Sequence, residues 1–143
     1  MHENNIRIGR LLGDAYEAWQ RGAYAALAES GFADIRPAHS PVLRFVGEQG
    51  ARVVDLAEQA RMTKQSMSYL VSALEQSGYV SLTADPDDGR ARLVHLTAKG
   101  NQARDVLIGH SLALEERLAA RIGKDRVEDL RELLAEATGP WLP

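Results

Sequence analysis

The stretch DPDDGRARLVHLT, residues 85–97, places two arginines, Arg90 and Arg92, directly after a turn carrying three carboxylates, Asp85, Asp87 and Asp88. Two kinds of chemistry fit that spacing. The cations are neutralised locally as surface ion pairs, or they are presented to an external anion such as a phosphate. The three carboxylates also suggest a calcium loop, but the downstream bidentate Glu of such a loop is missing. Covalent chemistry finds little support elsewhere. There is no cysteine, which excludes disulfides, zinc fingers and thiol catalysis. No G-x-S-x-G, phosphate-binding glycine loop or pair of catalytic carboxylates in an apolar setting occurs. The four histidines show no metal-ligand spacing. No catalytic residue, metal or cofactor is expected.

The chain's net charge is −3, which speaks mildly against a polyanion partner. Distribution matters more than the total. Residues 36–92 hold seven Lys/Arg and seven Asp/Glu, and the flanks hold the whole acidic excess. A polyanion-binding surface must therefore be a local feature of the middle segment. With 143 residues and 45% hydrophobic content, the chain reads as one folded domain with a real core. No signal peptide and no membrane span are visible. The lack of cysteine fits a reducing, cytoplasmic setting.

The elements that must position the arginines follow from periodicity. Residues 4–30 read as a helix, with Ile8, Leu12, Ala15, Trp19 and Ala26 on one face and Gly31 ending it. A short helix is expected after FADIRP, with Ser40 as N-cap and Pro41 in the first helical position. Two helices follow, before and after Thr63. Val54, Leu56, Ala57 and Ala60 give the first an apolar side. Thr63 caps the second, whose stripe is Met67, Leu70, Val71 and Leu74. Gly78 stops it. This pair is a helix-turn-helix. YVSLTA and RARLVHLT alternate apolar and polar residues around DPDDG, which reads as a hairpin. A long helix should run from Thr97 to about residue 122, lined by Ala103, Leu107, His110, Leu114 and Leu118. A final helix carries Val127, Leu130, Leu133 and Leu134, and Gly139 and Pro140 end it. The outer helices have more apolar surface than a small winged domain can cover, which points to a homodimer.

In the order of its elements the chain resembles the MarR family of bacterial transcriptional regulators. LAEQARMTKQSMSYLVSALEQSGYV and DPDDGRARLVHLTAKG carry the resemblance, the latter through Asp88, Arg90, Leu96, Thr97 and Gly100. The fold expected is mainly α with a small β-hairpin wing, a winged helix-turn-helix flanked by N- and C-terminal dimerisation helices. As one continuous domain, residues 1–35 and 98–143 would dimerise and 36–97 would bind DNA.

The resemblance implies a dimer on double-stranded DNA, with recognition helices in the major groove and wings at the minor groove. It puts Thr63, Lys64, Gln65, Ser66, Ser68 and Tyr69 near DNA and Arg90 at the wing tip, with Asp88 orienting or neutralising that arginine. Arg61 and Arg92 are further phosphate candidates. The chain departs from the family in carrying Tyr69 and Ala73 where arginines are often found, and Ser81 and Leu82 where a charged pair is common. Its recognition helix is thus less basic.

Physical chemistry leaves alternatives at several positions. Gln65 can pair with adenine, and Lys64 and Ser68 can bind phosphate or base edges, or this is an ordinary solvated helix face. Tyr69 is a contact residue or a core edge. His39 touches DNA, lines an effector cavity or simply starts a helix. His110 is a core or dimer-interface histidine or a ligand-binding one. Tyr16 and Trp19 pack in the core or line, with His39, a pocket for a small aromatic or anionic effector. The functional expectation is a repressor of a palindromic operator. The alternatives are a winged-helix protein–protein adaptor and a ligand-binding helical dimer that no longer binds DNA.

Overall fold

A computed structural model of the chain describes residues 6–139. The first helix, α1, spans Ile8–Glu29. Gly31 closes it at φ 93°, a conformation that glycine adopts without a Cβ penalty. The Phe32 N–H then returns to the Leu27 carbonyl at 2.8 Å. The buried line of α1 runs through Ala23 and Leu27, with Trp19 and Tyr24 half-buried. Of the expected apolar face, Trp19 and Ala26 are half-buried, whereas Ile8, Leu12 and Ala15 are exposed in the single chain. Spacing of four along Trp19, Ala23 and Leu27 selects the covered side, and only the second half of α1 meets a core. The part of the expected helix that falls on residues 4 and 5 lies outside the described residues, as does Pro140.

A 3-10 turn at Pro37–His39 runs directly into α2, Ser40–Phe45. Ser40 is therefore already helical and is not an N-cap. Pro37 starts the turn three residues earlier, and Arg36 N–H donates to His39 Nδ1 at 3.0 Å. The loop after α2 leads into a short strand, β1, Ala51–Arg52, which the sequence reading missed. Two helices follow, α3 at Val53–Gln59 and α4 at Lys64–Gln76. Leu56 and Ala57 of α3 are buried, but Val54 is 50% exposed, against expectation. All four expected stripe residues of α4, Met67, Leu70, Val71 and Leu74, are buried.

The hairpin strands are β2, Val80–Asp85, and β3, Asp88–Leu96, joined by Pro86 and Asp87. They pair antiparallel, and β1 joins the other edge of β3 to give the order β1-β3-β2. The turn is tighter than the five residues expected. Between the pairs Ala84↔Arg92 and Asp85↔Asp88 the register shifts, so Gly89, Arg90 and Ala91 bulge out on the longer strand. The core beneath gathers Leu27, Leu43, Leu56, Met67, Leu74, Tyr79 and Val94, among others. Tyr79 ties this core to the α1–α2 connection, because its hydroxyl donates to Asp34.

The last two helices are α5, Ala98–Ile122, and α6, Lys124–Ala137. Thr97 starts α5 with a double contact. Its hydroxyl donates to the Gly78 carbonyl at 2.6 Å and accepts the Gly100 N–H at 3.1 Å. The chain divides into two compact units between Leu107 and Ile108, inside α5. In the second unit Arg131 of α6 pairs with Glu115 of α5 at 2.9 Å and with Glu128 at 3.2 Å. The apolar stripe of α6 is largely uncovered, with Leu130, Leu133 and Leu134 all exposed. His110 Nε2 is buried there without a hydrogen-bond partner among the described residues.

Candidate nucleic-acid interface

The start of α4 is built by its cap. Thr63 adopts an extended backbone, and its Oγ1 accepts the Ser66 N–H at 3.1 Å. The same hydroxyl donates to Ser66 Oγ at 2.8 Å. One helix-end donor is thereby satisfied, and the remaining N–H groups carry the partial positive charge of a helix N-terminus. Thr63→Ala should lower the melting temperature by an amount equivalent to ~1 kcal/mol, measurable by thermal unfolding without DNA. Substitution by Asn, another good cap, should recover most of that loss.

Burial of the stripe on one side of α4 presents the other side to solvent. Thr63, Lys64, Gln65 and Ser66 are exposed, and Ser68 is half-buried. Tyr69 is 77% exposed, which rules out the core-edge alternative. Arg61, in the turn before α4, is exposed and adopts φ 55°, a left-handed conformation costly for a residue with a Cβ. That geometry lets the chain reverse in the four residues between α3 and α4.

In the wing, the arginine question has a structural answer. Asp85 is buried, and its partner is Arg52 of β1, whose Nε lies 2.6 Å from Asp85 Oδ2. Asp85 Oδ1 also accepts the Asp87 N–H at 2.9 Å. Asp88 Oδ1 accepts the backbone N–H of Arg90 at 3.0 Å, shaping the loop rather than neutralising the guanidinium. Arg90 and Arg92 are exposed, and no ion pair involves either among the described residues. The local neutralisation considered for Arg90 is therefore taken up by Arg52 instead. No sequence signal marked Arg52, since it lies 33 residues from its carboxylate.

The Asp87 N–H chiefly, and then Arg52, hold the Asp85 carboxyl below its ordinary value of 3.8, against the opposing effect of burial. A lowered pKa in the folded state stabilises the fold above the ordinary value, and that contribution is lost as pH falls through the folded value. The melting-temperature advantage of the native protein over Asp85→Asn should therefore shrink below about pH 4.

The residues considered for an effector pocket do not share one environment. Tyr16 is 65% exposed, and Trp19 and His39 are half-buried. Burial lowers the His39 pKa from 6.5, consistent with a neutral ring accepting the Arg36 N–H. A cavity of about 280 Å³ is lined instead by Gly47, Glu48, His95, Leu96, Asn101 and Arg104.

A helix-turn-helix, a strand pair with a projecting tip and a third short strand on its inner edge define a winged-helix protein. Residues 33–91 match the profile of the MarR family. A curated relative, the uncharacterized HTH-type transcriptional regulator YkoM of Bacillus subtilis, is 24% identical over 137 residues, covering 94% of this chain and 86% of that protein. The crystal structure of a MarR-family transcriptional regulator from Rhodococcus sp. RHA1 aligns with a TM-score of 0.71 at 27% identity, over 93% of each chain. The S. aureus MepR–DNA complex shares the fold, with a TM-score of 0.75 at 18% identity over 93% of this chain and 97% of that one. The winged-helix segment thus matches the MarR family, and over nearly its whole length the chain is similar to MarR-family transcriptional regulators.

Proposed function

We propose that this protein is a homodimeric repressor that binds a palindromic DNA operator through α4 and the wing, with a small molecule modulating it. The observation that carries the reading is the pairing of Asp85 with Arg52, with Arg90 on a bulged hairpin tip in no ion pair among the described residues. The same winged-helix unit presents a capped helix start with small polar side chains. Such a surface suits close approach to a duplex, with base edges read from α4 and phosphates or a narrow minor groove met by Arg90. Arg61, Lys64 and Arg92 add phosphate candidates, and Gln65 is the best-placed reader of adenine. MepR, which has this fold, has been crystallised on DNA.

Exposed apolar residues on three helices support the dimer. Ile8, Leu11 and Leu12 of α1 are exposed apolar residues, as are Ile108 and Leu112 of α5 and the α6 leucines. A second copy would cover them, and two-fold symmetry would set half-sites roughly one helical turn apart. Repression follows because a dimer seated on a promoter blocks polymerase without extra contacts. Among the described residues no helix is long and apolar enough to cross a membrane, and a cytoplasmic regulator fits. The family is one of transcriptional regulators, and no catalytic role is proposed.

Gln65→Ala should reduce discrimination at one position of each half-site by ~1–3 kcal/mol and alter affinity for random duplex far less. Competition between operator and single-base variants measures this. A second reading, a protein–protein adaptor, draws on the exposed Tyr69 ring and the missing recognition-helix arginines. Titration with random duplex DNA at low and high salt separates the two. Regulator binding weakens steeply as salt rises, whereas an adaptor shows no binding at either concentration.

A further inference from the structure

Two opposite charges line the cavity at the root of the wing without pairing. Glu48 comes from the loop after α2, and Arg104 from the first turns of α5. Among the described residues no ion pair joins them within 4 Å. Arg104 is held rather than free. One guanidinium nitrogen donates to the Val46 carbonyl at 3.1 Å and another to Asn101 Oδ1 at 2.8 Å. A guanidinium has five N–H donors, so donors remain for a ligand, as does the Asn101 amide N–H₂. The opposite wall is equally fixed. His95 Nε2 lies 3.0 Å from Thr83 Oγ1, and its ring packs so closely on Gly50 that an added Cβ would stand 2.6 Å from its Cε1. Leu96 supplies an apolar side.

We propose that this cavity binds a small zwitterion of the α-amino-acid class, with its carboxylate on Arg104 and Asn101 and its ammonium on Glu48. A simple anion would meet the Glu48 carboxylate, and a simple cation would meet the guanidinium. A molecule carrying both charges a few bonds apart satisfies both, so the same pair that attracts it rejects its singly charged analogues. The volume of about 280 Å³ falls just under the ~300–1,000 Å³ of sites for drug-sized ligands, which suits a molecule of amino-acid size. Its regulatory consequence rests on the function proposed above. The ligand would bridge the α2 loop and α5 beside His95, on the strand that carries Arg90. It changes DNA affinity to the extent that it prefers one wing arrangement over another.

The test is calorimetric titration of the full chain with each standard amino acid at millimolar concentration. Any that binds is compared with its deaminated acid and its decarboxylated amine. At least one amino acid should bind, with both analogues weaker by about tenfold or more, as expected for loss of one charged hydrogen-bonding contact. Glu48→Gln, a change at an exposed side chain, should weaken the amino acid similarly without weakening the deaminated acid. Failure of every amino acid to bind, or equal binding of an analogue, overturns the proposal. Operator binding is measured in parallel. Intact DNA binding with no amino-acid binding defeats the cavity assignment alone, and the reverse result defeats the regulator reading alone.

Discussion

Arg90→Ala is expected to weaken operator binding by roughly a hundredfold while leaving the dimer and its melting temperature nearly unchanged. The first half follows from exposure and geometry. Arg90 sits among three bulged residues at the wing tip, where its guanidinium has no carboxylate partner among the described residues. A lost hydrogen-bonded contact to a charged group is worth ~1.5 kcal/mol at the low end, roughly tenfold in affinity per wing, and the proposed dimer has two wings. The slope of log affinity against log salt should become shallower by about 2, close to one released counterion per arginine. The second half follows from what the fold uses in its place. The wing root is held by Arg52 and Asp85, and the loop by the Asp88 carboxylate on the Arg90 backbone N–H. Alanine keeps that N–H. Parallel titration and thermal unfolding check both halves, and an unfolded variant would mean that Arg90 is structural.

Gly100→Ala should be the most destabilising single-methyl change in the chain, costing ~3 kcal/mol or more, at the upper end of what overpacking does. On an exposed helix the same change would gain about 1 kcal/mol. Here the added Cβ would stand 2.1 Å from the Tyr79 carbonyl oxygen and 3.1 Å from its carbon. Backbone lies on both sides, so no side-chain rotation relieves the clash. To make room, the first turn of α5 must leave the foot of the hairpin. It then gives up the Thr97 hydroxyl bond to Gly78 and the Thr97 N–H bond to Tyr79 at 3.0 Å. Since whole domains are stable by only ~5–15 kcal/mol, urea unfolding should show a large fall in midpoint. A midpoint within error of the native protein would show that α5 does not pack against Tyr79 as described.

This junction also explains the Leu-Thr-x-x-Gly part of the family resemblance in physical terms. Thr97 joins the end of α4 to the start of α5, and Gly100 lets the helix approach the chain that leaves α4. The sequence could show that the residues were present but not that a carbonyl stood 2.1 Å from a missing methyl.

What was legible was local. The stripe of α4, its Thr63 cap and its Gly78 stop lie within one short segment, and the structure places each as the pattern implied. The exposed face of α4 was then legible as the complement of the stripe. The hairpin was legible by alternation, though its turn was drawn too long. What was not legible depended on distant partners. The strand β1 is two residues long and exists because β3 offers it an edge. Pairing of Arg52 with Asp85 answers which cation the acidic turn neutralises, and no spacing rule reaches across that distance. Which side of α1 meets the chain's own core was not legible for the same reason. Several of its faces carry apolar residues, and only the core that covers Ala23 and Leu27 decides between them.

The most direct test of the account is selection of bound sequences from a random duplex library by the full-length protein. A winged-helix dimer reading DNA through two copies of α4 predicts an enriched palindrome, with half-site centres about one helical turn apart. Recovery of no enriched sequence, or of a motif without two-fold symmetry, would contradict it.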